Sequence, residues 1–296
     1  MNTRKKYLHL RRIVMIAIRV IFFFLFPTVF SASFAGIKYI CTQLAAKQPL
    51  EPNAFLITLI AIAAFTIIFG RFFCGFACAF GTYGDVLYAI GQLIRGKKPF
   101  QRLKKTGMLP DRGGIINPVL GKLFRYGKYI VLLVTVLLCF FNRSDLITNL
   151  SPWVIFSRLQ AYKLPPADLV LAIVLFIAIS VGMFLTPRFF CRFLCPLGAV
   201  FSLLPIAPFS TVRLNKENCA KSCGMCSVVC PAHLDLPDKE ENIPQIHSEC
   251  FACAKCTYSC PKDANCGAGT IPGKAKGLIW LGIKAGALLC ICFLIK

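Results

Sequence analysis

Acidic residues are scarce in this chain. Only 12 Asp and Glu stand against 34 Lys and Arg, for a formal net charge of +22. Histidine is scarcer still: His9, His233 and His247 are not spaced as a haem-ligating pair within an apolar run. No C-x-x-C-H occurs, which excludes attached c-type haem, and no G-x-G-x-x-G follows a strand pattern, which disfavours a dinucleotide fold. Room for a large water-soluble domain is also missing. Hydrophobic residues make up 57% of the chain and the mean hydropathy is +0.68, whereas soluble domains run near ~45–50% apolar. A nucleic-acid reading of the basic excess lacks interleaved aromatics, and on so apolar a chain Lys and Arg mark loops on the cytoplasmic side of a membrane.

What is abundant is cysteine, 17 in all. The chain is too long and too apolar for a small disulfide-stapled scaffold, so metal or redox chemistry is the leading account. Four of these cysteines belong to a repeat. Arg71–Gly81, RFFCGFACAFG, returns 117 residues later at Arg188–Gly198 as RFFCRFLCPLG, matching Arg71 with Arg188, Cys74 with Cys191, Cys78 with Cys195 and Gly81 with Gly198. Each copy follows a long apolar run and precedes a shorter one.

The hydropathy pattern predicts one uncleaved span over 13–40, kinked at Pro27, and further spans over 54–73, 123–141 and 167–185. Short helices are expected over 82–94 and 197–204, each just after a thiol motif. Residues 95–128 carry ten Lys and Arg against Asp111 alone, which places this loop in the cytoplasm. Counting crossings from an inside N-terminus then puts both thiol motifs on the cytoplasmic face. Two spans, a thiol motif and a short helix form the unit of a two-fold parallel repeat. A last run, 277–295, is long enough to span, although Lys284 sits in its middle and an interfacial helix is the alternative. Asp85 and Asp168, near membrane boundaries, read as helix-end residues or proton carriers. Arg71 and Arg188 either stabilise charge at the thiols or snorkel to headgroups.

Between Arg213 and Lys276 cysteine spacing replaces hydrophobic pattern. Cys219, Cys223, Cys226 and Cys230 precede Pro231; Cys250, Cys253, Cys256 and Cys260 precede Pro261. The second set is the C-x2-C-x2-C-x3-C-P run of bacterial ferredoxins, and the first differs by one inserted residue. In such runs the fourth cysteine serves the other cluster. One 4Fe–4S cluster is therefore expected on Cys219, Cys223, Cys226 and Cys260, and a second on Cys250, Cys253, Cys256 and Cys230. Paired structural zinc sites are the competing reading. Cys266 has no place in either set, and Cys41, Cys139, Cys290 and Cys292 read as packing residues. Eight Lys and Arg balance seven acids in this stretch, as suits a small soluble domain.

The expected organisation is a first membrane repeat with its C-x3-C motif at 1–94, a basic cytoplasmic loop at 95–122 and a second membrane repeat at 123–209. A double 4Fe–4S ferredoxin-like α+β domain follows at 210–272, with a C-terminal membrane helix at 273–296. The fold class is mostly α. If the C-x3-C segments are helical, the thiols at i and i+4 share a face. The repeat axis then brings Cys74, Cys78, Cys191 and Cys195 together, as a further iron–sulfur cluster, as redox-active dithiols or as plain packing residues.

Two C-x3-C motifs after transmembrane helices, followed by a double ferredoxin run, resemble the membrane iron–sulfur proteins of the NapH/NosR type. The usual motif there is C-G-W-x-C-P-x-G. The first copy keeps Cys74, Gly75, Cys78 and Gly81 but has Phe76 and Ala79 in place of Trp and Pro; the second keeps Cys191, Cys195, Pro196 and Gly198. The resemblance implies a multi-pass protein of the inner (cytoplasmic) membrane. It would pass electrons from a soluble cytoplasmic donor or quinol to a membrane or periplasmic partner, through two 4Fe–4S clusters and the paired thiol site. Relatives in copper reduction and oxidase assembly supply the alternative function.

Overall fold

The computed structural model describes residues 3–95, 121, 123–141, 143–163, 169–207, 212–214, 225–234, 248–260, 265–268 and 274–295. The basic loop over 96–120, Asp168, Cys219, Cys223 and the Cys266 side chain lie outside the described residues. Within them the chain is mostly helical, as expected.

The kinked first span is instead two helices, α1 (Thr3–Leu25) and α2 (Val29–Ala45), which meet at 61°. Pro27 explains the break: it donates no backbone hydrogen bond and its ring clashes with the preceding turn. α3 (Ala54–Phe69) starts at Asn53, whose Oδ1 accepts from the Leu56 N–H at 2.8 Å. It ends at Gly70, where φ is +71°. α2 lies directly on α3 because Gly36 offers no side chain; a Cβ there would stand 2.6 Å from Phe55 O and 2.9 Å from Leu59 Cβ. Gly36→Leu is expected to destabilise the protein by ~1–3 kcal/mol through overpacking. An unfolding midpoint in detergent equal to that of wild type would show that the helices do not meet here.

α4 (Ala79–Arg95) follows the first thiol motif. Then come α5 (Gly127–Phe140), the short α6 (Ser144–Leu150) and α7 (Pro152–Gln160), and α8 (Val170–Leu185). The second motif holds α9 (Phe189–Phe193) and α10 (Pro196–Leu203). Two helical turns, α11 (Met225–Val228) and α12 (Lys255–Ser259), pack on each other in the cysteine-rich stretch. Its ends are joined by an antiparallel pair, β1 (Val212–Leu214) with β2 (Asn265–Ala268), in register Val212 to Ala268. The chain closes with α13 (Lys274–Ile295), which packs on α3 and α1.

Among the described residues one helix, Gly277–Ile295 within α13, is long and apolar enough to cross a membrane, and a second if the bent α1–α2 pair is one span. α3, α5 and α8 are equally apolar but shorter. Their outward faces carry aliphatic side chains at about half exposure, among them Ile57, Ile60, Ile130, Leu133, Val174 and Ile177. Inward they bury an aromatic core in which Phe80 meets Phe190 edge-on at 4.6 Å and Phe34 meets Trp153 at 4.6 Å. Lys284 is no obstacle to an apolar α13. It is 2% exposed, points inward and donates to the orphan carbonyl of Phe69 at the end of α3.

Candidate metal centre

The two thiol motifs form turns, and neither is the continuous helix that would stack thiols at i and i+4. Phe73–Ala77 is a single wide π turn, and Cys78, extended at ψ 117°, ends it. The Cys78 Sγ then accepts the Gly81 N–H at 3.4 Å. In the second motif Cys191 lies in α9, while Cys195 caps α10 by accepting the Gly198 N–H at 3.2 Å, with Pro196 in the first turn. The second thiol of each pair thus caps the following helix, which turns it away from the helical continuation expected for C-x3-C. The convergence nevertheless occurs. Cys74, Cys78, Cys191 and Cys195 are all under 9% exposed and line one small cavity, closed by Phe30, Phe73, Phe190 and Leu197.

The matched arginines exchange places across this cavity. Arg188 of the second motif lies over Gly81 of the first, where a Cβ would stand 2.7 Å from its Nη1. Arg71 of the first lies over Gly198 of the second, 3.2 Å from the place of a Cβ. Both glycines repeat because each must admit the other half's guanidinium. Neither arginine snorkels: Arg71 is fully buried and Arg188 is 4% exposed. Arg188 donates through Nε and Nη2 to Asp85 at 2.8 and 2.6 Å, through Nη1 to Cys74 O and through Nη2 to Gly75 O. It does so from a left-handed backbone, φ +54°, that a non-glycine residue holds only when its side chain is anchored. Asp85 is a clamp for Arg188 and Arg19; burial opposes its ionisation, but these two arginines hold its carboxyl below the usual range. Arg71 donates through Nη1 to Glu249 at 3.2 Å and to Ser248 O at 3.3 Å, while its Nε and Nη2 are buried beside the cavity with no hydrogen-bond partner among the described residues.

Burial first, and then the neighbouring thiols, push Cys78 and Cys195 well above the ordinary thiol range. Burial raises Cys191 as well, against the pull of Arg188. Such thiols need a cation beside them to ionise, and cations are what the site has. Arg71, Lys128 and Arg188 are buried and Arg19 stands beside them, and among the described residues Asp85 and Glu249 are the acids paired with these four cations. Lys128, expected in the exposed basic loop, is one of them: it is fully buried and paired with Glu249. A cluster of buried cations with too few acids suits an anionic guest, because an unpaired buried charge costs several kcal/mol. Among the described residues no three Cys, His, Asp or Glu side chains already stand at metal-holding spacing; what the four thiols share is the cavity and its charge.

The ferredoxin-type cysteines divide by description. Of the first expected set, Cys226 and Cys260 are described and buried. Of the second set all four are described: Cys230, Cys250 and Cys256 are raised by burial first and then by neighbouring thiols, Cys253 among them for each, and Cys226 of the first set also stands near Cys256. Cys250 is pushed up to about 12, by burial first and then by Cys253 and Cys230. The backbone N–H groups of Ala232 and Leu234 near the Cys230 sulfur, and that of Ala252 near Cys250, favour the thiolate against burial. Ala252 and Ala254 sit at φ +50° and +53°. Alternating left-handed residues turn successive N–H groups inward, a concavity suited to an anion. N–H donors on thiolate sulfurs fit an iron–sulfur ligand set. Sequence reading passed over Glu249 and Phe251; the available signal was that Glu249, a rare acid, directly precedes Cys250.

Comparison with known proteins supports the likeness to iron–sulfur proteins. Residues 53–100 and 169–205 match the model of a 4Fe-4S binding domain, and these two segments hold the C-x3-C motifs. An uncharacterized protein of Methanocaldococcus jannaschii is 29% identical over 248 residues, covering 82% of this chain and 88% of that protein. The putative electron transport protein YccM of Escherichia coli is 25% identical over 78% of this chain and 59% of its own length. The methylamine utilization ferredoxin-type protein MauN of Paracoccus denitrificans is 29% identical over 71% of this chain and 66% of its own. No solved structure matches the chain.

Proposed function

We propose that this chain, a relative of ferredoxin-type electron-transport proteins with a 4Fe-4S binding segment in each half, is a multi-pass membrane carrier of single electrons. One observation carries the reading. Four thiols line a small cavity together with Arg71, whose Nε and Nη2 are buried with no hydrogen-bond partner among the described residues. Glu249 balances the charge of Arg71, but a pair of disulfides or neutral dithiols would leave these two nitrogens poorly satisfied in apolar surroundings, at ~1–3 kcal/mol for each unsatisfied group. A thiolate-held iron–sulfur centre is anionic, presents sulfur acceptors and, when bound, takes up and releases one electron.

In this reading Cys74, Cys78, Cys191 and Cys195 hold one centre. Cys219, Cys223, Cys226 and Cys260 hold a second, and Cys250, Cys253, Cys256 and Cys230 a third. Arg71 and Arg188 neutralise the thiolates of the first, and the aromatic wall of Phe30, Phe73 and Phe190 keeps water from it. α1–α2, α3, α5, α8 and α13 cross the inner membrane, which is why their outward faces are aliphatic. The N-terminus, both thiol turns and the ferredoxin-like segment 210–272 lie on the cytoplasmic side. Electrons pass between a cytoplasmic donor or quinol and a membrane or periplasmic partner.

Iron and acid-labile sulfide on the full-length protein in detergent test this directly. About twelve of each per chain are expected, with EPR signals after dithionite. A colourless, zinc-loaded, EPR-silent preparation would overturn the reading.

A further inference from the structure

The segment bearing Cys250 and Cys253 is fastened to the turn bearing Cys74 by several separate contacts. Glu249 accepts from Arg71 Nη1 at 3.2 Å, from Lys128 and from the Tyr129 hydroxyl at 3.2 Å. The Phe251 ring lies under two guanidiniums, 5.1 Å from Arg71 and 5.7 Å from Arg188. Gly75 meets the Phe251 carbonyl so closely that a Cβ could not stand there, and that Cβ would also lie 3.8 Å from Cys253 Cβ. α1 ties the same two pieces from behind: Arg19 donates to Gly75 O at 3.4 Å and Arg11 to Cys253 O. The two arginines that flank the four-thiol cavity are therefore also the two that seat Phe251.

We infer that Glu249, Phe251 and Gly75 form a latch that makes the group Cys230, Cys250, Cys253 and Cys256 the electron-exchange neighbour of Cys74, Cys78, Cys191 and Cys195. This deepens the proposed function and rests on it. The exchange moves one electron and no atom: one metal-loaded thiol group is oxidised by one unit as the other is reduced, and dithionite is the electron source in vitro. Glu249 and Phe251 are positioning residues. Glu249 neutralises Arg71 and Lys128 only while the segment is docked, so charge balance holds the two groups at a fixed separation. Gly75 is small because the backbone of the partner segment occupies the place of its side chain.

Gly75→Ala, Glu249→Gln and Phe251→Leu in the full-length protein test the latch by two readouts. The first is hydrogen exchange of peptides from 248–260, which does not depend on iron at the membrane thiols. Exchange roughly tenfold faster is expected in Gly75→Ala and Glu249→Gln, with α5 and α8 peptides unchanged. The second is EPR of the dithionite-reduced protein. Wild type and Cys219→Ser are expected to show spin–spin broadening. The Cys219→Ser background removes the coupling between the two ferredoxin-type centres. In that background the broadening disappears when Gly75→Ala, Glu249→Gln or Phe251→Leu is added at otherwise unchanged iron content. Unchanged protection in all three variants, with unchanged broadening when each is added to Cys219→Ser, overturns the latch, as does broadening lost in Cys219→Ser but kept in Gly75→Ala. If wild type holds only about eight iron per chain, the three-centre reading fails, and hydrogen exchange alone decides whether the segment docks through Gly75.

Discussion

Replacing Cys74, Cys78, Cys191 and Cys195 together by Ser is expected to remove about four iron and about four sulfide per chain, leaving about eight of each on the ferredoxin-type cysteines. Serine keeps the size of each residue but ligates iron poorly. The four side chains line a single cavity, so the loss should come as one unit. The variant should also be less stable, because Arg71 and Arg188 then remain buried around an empty, neutral cavity. Two controls make the result specific. Cys41→Ser with Cys139→Ser should leave iron unchanged, since these thiols pack in the core between α2 and α5. The ferredoxin-type EPR signals should survive in the four-Ser protein. Iron that stays at the wild-type value, with copper reduction lost, would instead show that the four thiols work as redox dithiols.

Asp85→Leu is the second large effect. Asp85 accepts two hydrogen bonds from Arg188 and pairs with Arg19. Its removal leaves two arginines without their carboxylate, one of them almost fully buried. Breaking such a pair costs ~3–5 kcal/mol, far more than the pair's net contribution, because an uncompensated charge is left behind. Arg188 also holds a left-handed backbone that only its side-chain anchors justify. Thermal unfolding in detergent measures the effect, with the exposed Asp145→Leu as the control expected within ~0.5 kcal/mol of wild type. Equal midpoints for the two variants would show that Asp85 anchors nothing.

Much of the site could be read before any coordinates, for reasons that lie in particular residues. RFFC occurs twice, and repetition survives without knowledge of geometry; so do two C-P endings with ferredoxin spacing. What stayed hidden was geometry that depends on contacts distant in sequence. Nothing local says that Cys78 and Cys195 cap the helices after them, so C-x3-C reads as a helical pair. Arg71 and Arg188 look like interfacial anchors until Glu249 and Asp85, 178 and 103 residues away, are seen to meet them. Lys128 sits at the end of a run of surface-like charges, and only its pairing with Glu249 reveals that it is buried. Lys284 interrupts an apolar run for the same kind of reason, since the Phe69 carbonyl it serves belongs to another helix. Pro27 was legible as a kink, but not the close seat of α2 on α3 at Gly36 that follows the 61° bend, since Phe55 and Leu59 lie in another helix.

The exchange of arginines across the cavity has a consequence for how the molecule can come into being. Each half carries the guanidinium that lies on the other half's glycine, and each lacks a site for its own. A half made alone would therefore bury a cation against nothing, so the two cannot be graded as more and less essential. Cut between α4 and α5, the chain should yield fragments that are stable only when made together.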